Sequence, residues 1–198
     1  TATTHLKVEL QIPHDTALGD AQTTGARPRG SGVRGCENMS TFNIQPLPIA
    51  DIPAVIALAG VIWRQHYPGI ITHAQIDYML DMMYAPGVIE DEITAKGIVW
   101  LKAVAGGRLI GFASYGPQPD GATMKLHKLY LVDSARGKGY GTALINHIAA
   151  AARAAGRTRL LLAVNKRNTA SIAVYKRNGF VIEKEVKTDI GHGYYMDD

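Results

Sequence analysis

The segment HKLYLVDSARGKGYGTALINHI, residues 127–148, constrains this chain more than any other. A strand-like run meets a helix-like run across Gly137, Gly139 and Gly141. Glycine costs roughly 0.5–1 kcal/mol in the interior of either element, so three alternate ones need a reason. A tight strand-to-helix connection is one. The other is chemical. Such a turn presents bare backbone N–H groups at the positive end of a helix dipole, where an anion such as a phosphate binds.

The 198 residues are 46% hydrophobic and 19% charged, which predicts one domain with one good core. A net charge of +4 is too mild to argue by itself for a nucleic-acid partner, which is not expected. The single cysteine, Cys36, leaves no internal disulfide framework and points to a reducing compartment. No apolar run reaches the ~18 residues of a membrane span, and no signal-peptide core opens the chain. A soluble, cytoplasmic protein without membrane partners is expected. The charge itself is uneven. Residues 39–124 hold four Lys/Arg against seven Asp/Glu, and residues 125–187 hold thirteen against three. A solvated surface can produce this split. So can an anionic ligand on the basic half and a cationic one on the acidic half.

Residues 1–38 read as an extension outside the domain, disordered or an artefact of the gene's assigned start, with the domain over 39–198. ALGDAQTTGARPRGSGVRGCEN has no apolar period, and only LKVELQI alternates, as a lone surface strand or by chance. On this reading, losing residues 1–38 leaves activity within about two-fold. Beyond Ser40 the pattern is regular. FNIQPL is a strand, DIPAVIALAGVIWRQHY a helix capped by Asp51, and THAQIDYMLDMMY a helix opened by a Thr72–Gln75 capping box. A short helix stops at Gly97, and Gly106-Gly107 joins two strands as a hairpin. TMKLHKLYLV, RLLLAV and FVIEKEV are further strands, TASIAVYKRN is a helix capped by Asn168, and YYMDD begins a short last strand. The order β, β, β, α, β, α, β predicts an α/β fold with a mixed sheet and helices on its faces.

A Walker A loop needs Lys-Ser/Thr after its last glycine, and a Rossmann fingerprint wants glycine at Thr142, so both fit poorly. Arg136-x-x-Gly139-x-Gly141 between strand and helix instead resembles the pyrophosphate loop of the GNAT superfamily of N-acetyltransferases. LLLAVNKRNTASIAVYKRNGFVI resembles that superfamily's second signature, with Asn168, Ala170, Tyr175 and Gly179-Phe180 at the usual spacing. The resemblance covers residues 40–198 and implies a mostly antiparallel (α+β) central sheet, acetyl-CoA as co-substrate and no metal.

By that resemblance the amides of Gly137, Lys138, Gly139, Tyr140 and Gly141 hold the CoA pyrophosphate, and Arg136 and Lys138 add charge. Backbone groups of Leu131 and Val132 pair with the pantetheine arm where the sheet splays. Asn168, also a plain helix cap, lies beside that arm. Tyr175, also a packing residue, becomes the acid that protonates the departing thiolate. His127 is expected to share a strand face with Lys125, Leu129 and Leu131; it is a candidate base or base-positioning residue, with Glu92 or another carboxylate of the acidic half, acting through water, as alternatives. Trp63, His66, Tyr67, Tyr78 and the stretch 192–196 with Tyr194 form the acceptor site, acidic and aromatic as suits a cation. The implied reaction is direct acetyl transfer to a primary amine, small or polyamine-like. Acetylation of a protein N-terminus or lysine, and a non-catalytic acetyl-CoA-binding module, are the alternatives. The short last strand is an edge that a second copy could cover as a homodimer.

Overall fold

The computed structural model describes residues 5–12 and 42–197. Its strands are β1 (His5–Gln11), β2 (Phe42–Pro46), β3 (Val99–Ala105), β4 (Arg108–Pro117), β5 (Thr123–Leu131), β6 (Arg159–Asn165), β7 (Val181–Gly191) and β8 (Tyr194–Asp197). Its helices are α1 (Ile52–His66), α2 (His73–Tyr84), α3 (Pro86–Thr94), α4 (Tyr140–Ala154) and α5 (Thr169–Arg177). The sheet order is β2-β3-β4-β5-β6-β1-β7-β8. Neighbours are antiparallel except β5 and β6, which are parallel and joined through α4. This is the mixed, mostly antiparallel sheet that was expected.

Local signals set most of the ends. Thr72 Oγ1 accepts the Gln75 N–H at 3.2 Å, but the Gln75 amide donates to the Tyr195 carbonyl instead of returning the bond. The capping box is half made, and its other half ties α2 to β8. Asp51 does not cap α1 with its side chain; its carboxylate pairs with Lys102 of β3 at 2.7 Å. A 3-10 turn and Pro53 start the helix in its place. One sheet face packs Leu126, Leu160, Leu162 and Phe180 against Leu144, Ile145 and Ile148 of α4. The other packs Trp100 and Phe112 against Val55, Trp63, Ile76 and Ile89 of α1, α2 and α3.

The N-terminal segment overturns the reading of an appended extension, as far as it is described. β1 is an interior strand, antiparallel to β6 on one side and to β7 on the other, which do not pair with each other. Val8 is fully buried, Ile12 nearly so, and the Ile12 N–H donates to the Thr158 carbonyl at 2.7 Å. The alternation in LKVELQI was therefore a true strand signal. What it lacked was any local sign of its partners, which come from the far end of the chain. Residues 13–41, including the Gly/Arg-rich stretch expected to be disordered, lie outside the described residues.

Candidate functional site

β5 and β6 pair only over residues 123–126 and 159–162. β5 then continues to Leu131 and β6 to Asn165, and the strands part. The gap opens into a cavity of about 890 Å³ whose walls run from the glycine turn, between the two strands, to the space under α1, α2 and α3.

The turn closes one end. A 3-10 turn over Asp133–Ala135 buries Ala135, and Gly139 caps α4 in the left-handed region. Gly137 has φ +74° and Gly139 φ +79°, and nothing lies within 4 Å of where a Cβ would stand on either. Glycine is needed here for backbone conformation, and the open space lies over the unpaired first N–H groups of α4. Leu131, Arg136, Gly137, Gly139, Tyr140, Gly141, Asn168 and Tyr175 all reach the cavity wall. Two expected members do not. Lys138 is exposed and off the wall. Val132 spends both backbone groups locally: its N–H donates to Ile110 at 2.9 Å and its carbonyl accepts from Ala135 at 3.0 Å. Because bonding alternates along an antiparallel pair, the Leu131 backbone groups then point the other way, toward the cleft.

His127 is also on the wall, but the strand face expected to hold it with Leu129 and Leu131 is broken beside it. The β4–β5 ladder slips between Ser114 and Tyr115, and His127 is the extra residue of that bulge. Side chains beyond it change sides: Leu129 and Leu131 pack with the α4 core, while Lys128 faces Trp100 and Tyr84. The His127 Nε2 is buried with no hydrogen-bond partner. Burial, then the charges of Lys125 and Lys128, push its pKa down from 6.5 to about 4. It is a neutral imidazole and a weak base at physiological pH.

That shift has a sign that can be tested. The unfolded chain takes up the proton near 6.5 and the folded chain only near 4, so stability is complete above 6.5 and falls as pH drops toward 4. The loss attributable to His127 is roughly 3 kcal/mol. Thermal melts between pH 7 and 4 should show it, and His127→Gln should flatten the slope. An unchanged slope would place the titration elsewhere.

Trp63, His66 and Tyr67 share one face of the last turn of α1 and reach the cavity. Trp63 lies 4.6 Å from Tyr67 and 5.6 Å from Tyr130, ring to ring, and the Tyr67 and Tyr130 hydroxyls are 3.2 Å apart. Tyr78 and Tyr194 stay off the wall. Tyr78 donates to the Ile190 carbonyl at 2.6 Å and its ring meets Tyr194 at 5.3 Å, a clasp between α2 and the β7–β8 hairpin. The neighbouring Tyr195 and Gln75 line the cavity instead. His66 is tied to the glycine-turn end: its Nδ1 is 2.9 Å from Arg136 and its Nε2 2.9 Å from Asn168.

The acidic half does not give an acidic wall. Asp51, Asp77, Asp91 and Asp120 pair with Lys102, Arg64, Lys96 and Arg159 away from the cavity. Among the described residues the carboxylate on the wall is Glu92. It accepts the Trp100 indole N–H at 2.8 Å and pairs at 3.3 Å with Lys128, which is only 5% exposed. Burial lowers the Lys128 pKa, and Glu92 works against that. The sequence reading missed Lys128; a lysine inside an apolar strand was the available signal. Lys125 adds positive charge to the same wall, and Lys7, also on it, pairs with Glu183 at 3.2 Å. Among the described residues no three His, Cys, Asp or Glu gather to hold a metal, and no helix is long and apolar enough to cross a membrane.

The cavity suits coenzyme A in kind: unpaired amides at one end, Leu131 backbone groups and an unpaired β6 edge along its length. Comparison with known proteins agrees. The model of the acetyltransferase (GNAT) family matches residues 62–180. An L-methionine sulfoximine/L-methionine sulfone acetyltransferase of Pseudomonas aeruginosa is 35% identical over 147 residues, 73% of this chain and 83% of that one. A spermidine N(1)-acetyltransferase of Thermoplasma acidophilum is 26% identical over 147 residues, 72% of this chain and 90% of its own. The crystal structure of a PaiA N-acetyltransferase from Thermoplasma acidophilum, in complex with coenzyme A, superposes with TM-score 0.67 at 26% identity. It covers 72% of this chain and 91% of that one. The chain belongs to the GNAT family of acetyltransferases and is an acetyl-CoA-dependent N-acetyltransferase.

Proposed function

We propose that the protein passes acetyl directly to the primary amine of a compact acceptor seated beneath α1, α2 and α3. The observation that carries this reading is the single cavity joining the glycine turn to the Trp63–Tyr67 wall through the β5–β6 gap. Acetyl-CoA, when bound, supplies the acetyl group as an activated thioester. The amides of 137–141 and the Arg136 guanidinium hold the pyrophosphate, Lys138 contributes charge from outside the wall, and the Leu131 backbone aligns the pantetheine arm. Most of the rate comes from alignment of two substrates in one cleft, worth up to about 7–11 kcal/mol.

An alkyl amine has a pKa of roughly 10.4 and must lose a proton before it attacks. Glu92 is the carboxylate available on the wall, oriented by Trp100 and Lys128, and relays the proton through water. The neutral His127 helps to place that water. The Tyr175 hydroxyl donates to the leaving sulfur.

The wall chemistry favours an acceptor that is not a polycation. Lys128 neutralises Glu92, and Lys125 shares the wall, so a zwitterionic amino-acid-like amine suits the cavity better than a polyamine. The 35%-identical relative, named for two amino-acid derivatives, supports this; the spermidine relative and the acidic half support the second reading. Release of CoA over a panel of α-amino acids, polyamines, and peptides with free termini and lysines decides it. Turnover with spermidine alone rejects the zwitterion, turnover with peptides alone rejects a small acceptor, and none at all leaves a binding module. A cytoplasmic site of action follows from the need for acetyl-CoA. A homodimer across the β8 edge is tested by sedimentation.

Gly139→Val tests the phosphate end. Valine is strained at φ +79° and covers the space over the α4 amides. CoA affinity should fall by about ten-fold or more, roughly 1.4 kcal/mol, in a chain that still folds. Unchanged calorimetric affinity in a folded variant removes the assignment.

A further inference from the structure

His66 ends α1 between two groups that both offer protons. Arg136 Nη2 stands 2.9 Å from Nδ1, and a guanidinium can only donate. Asn168 Nδ2 stands 2.9 Å from Nε2. The orientation of that amide is set on its other side, where Oδ1 accepts the Ser171 N–H at 3.2 Å as the cap of α5. Turning the amide over would point a donor at Ser171 and uncap the helix.

A neutral imidazole has one N–H and one lone pair. His66 can therefore accept from one neighbour only, and it points its own N–H at the other. Protonation does not help, because an imidazolium has no lone pair to offer either. Burial first, and then the Arg136 charge, hold the His66 pKa below 6.5. Of the two claims, that of Arg136 is the stronger, because the bond is charge-assisted. But Arg136 has other places to go. The same Nη2 pairs with Asp133 at 2.9 Å, and the open glycine turn begins at the next residue.

We propose that His66 is a single-acceptor switch: its lone pair serves Arg136 or Asn168 but never both, and an anion that draws Arg136 into the glycine turn passes the lone pair from Nδ1 to Nε2. The proposal rests on the turn being the pyrophosphate site. Once the lone pair is on Nε2, Asn168 bonds His66 and keeps its cap, so the end of α1 is tied to the start of α5. Trp63 and Tyr67 lie on that same turn of α1. Seating the anion thus steadies the wall that receives the acceptor. His66 acts through Arg136 and Asn168, as a positioning residue.

The test is nitrogen NMR of the full chain labelled in its seven histidine rings, with His66 assigned by its loss in His66→Gln. Coenzyme A is titrated in, and calorimetry on the same sample records its binding. The free protein should show Nδ1 unprotonated and Nε2 protonated, and saturating CoA should exchange the two signatures. Arg136→Met should bind CoA more weakly and show the exchanged pattern before any CoA is added. CoA binding that leaves the His66 signals unmoved overturns the switch and leaves the phosphate site standing. If neither heat nor signals respond to CoA, the phosphate site and the switch fall together.

Discussion

Deleting residues 1–12 is expected to abolish CoA binding and to replace the cooperative melt with a broad one. β1 is the strand through which β6 and β7 are joined, so its loss strips a hydrogen-bonded partner from each. It also removes Val8 and Ile12 from the core, at roughly 1.5–3 kcal/mol for each buried aliphatic side chain. Set against a typical total of about 5–15 kcal/mol, these losses together are comparable with the stability of the fold. The functional effect should be as severe as the structural one. β6 is one wall of the cleft, and β1 supplies Lys7 to it. Val8→Asp, which keeps the chain length and buries an unpaired charge, should act in the same direction. Circular-dichroism melts and a CoA titration check both variants. A shortened chain with the melting behaviour and turnover of the whole one would show that β1 is dispensable, as the sequence alone had suggested.

Tyr175→Phe carries the second large effect. The ring packs against the α4 core and meets Phe180 edge-on at 5.6 Å, contacts that phenylalanine keeps. Stability should therefore move by no more than about 1 kcal/mol, the worth of one hydrogen bond. Turnover should fall by about ten- to a thousand-fold if the hydroxyl delivers the proton to the departing thiolate, with CoA affinity nearly unchanged. Steady-state turnover beside a calorimetric titration separates the two quantities. A variant that turns over like the parent would make Tyr175 a packing residue and move the acid elsewhere on the wall.

Several features were legible because their causes are local. A glycine turn that needs positive φ at 137 and 139, a Thr72 cap and an Asn168 cap each involve residues within a few positions of one another. The same holds for the α1 triplet Trp63, His66 and Tyr67, whose spacing puts all three on one helix face. Two signatures in order then sufficed for the sheet type, and they named many of the residues that line the cavity.

The rest depended on contacts between distant segments. Local alternation made β1 a strand, but only pairing with β6 and β7 made it an interior one. The bulge at His127 arises from a slip against β4, and one inserted residue exchanges the two faces of everything after it. That is why Lys128 faces Glu92 across the cavity floor while Leu129 and Leu131 turn toward α4. Tyr78 and Tyr195 differ in the same way, since the α2 clasp to Ile190 takes one and leaves the other on the wall. So the sequence by itself determined the turns, the caps and the open glycine turn before α4, where each group's partner is a near neighbour along the chain. Only the tertiary structure decided which charges are paired on the cavity wall and which donors meet at His66, because those outcomes depend on competition among residues brought together by the sheet.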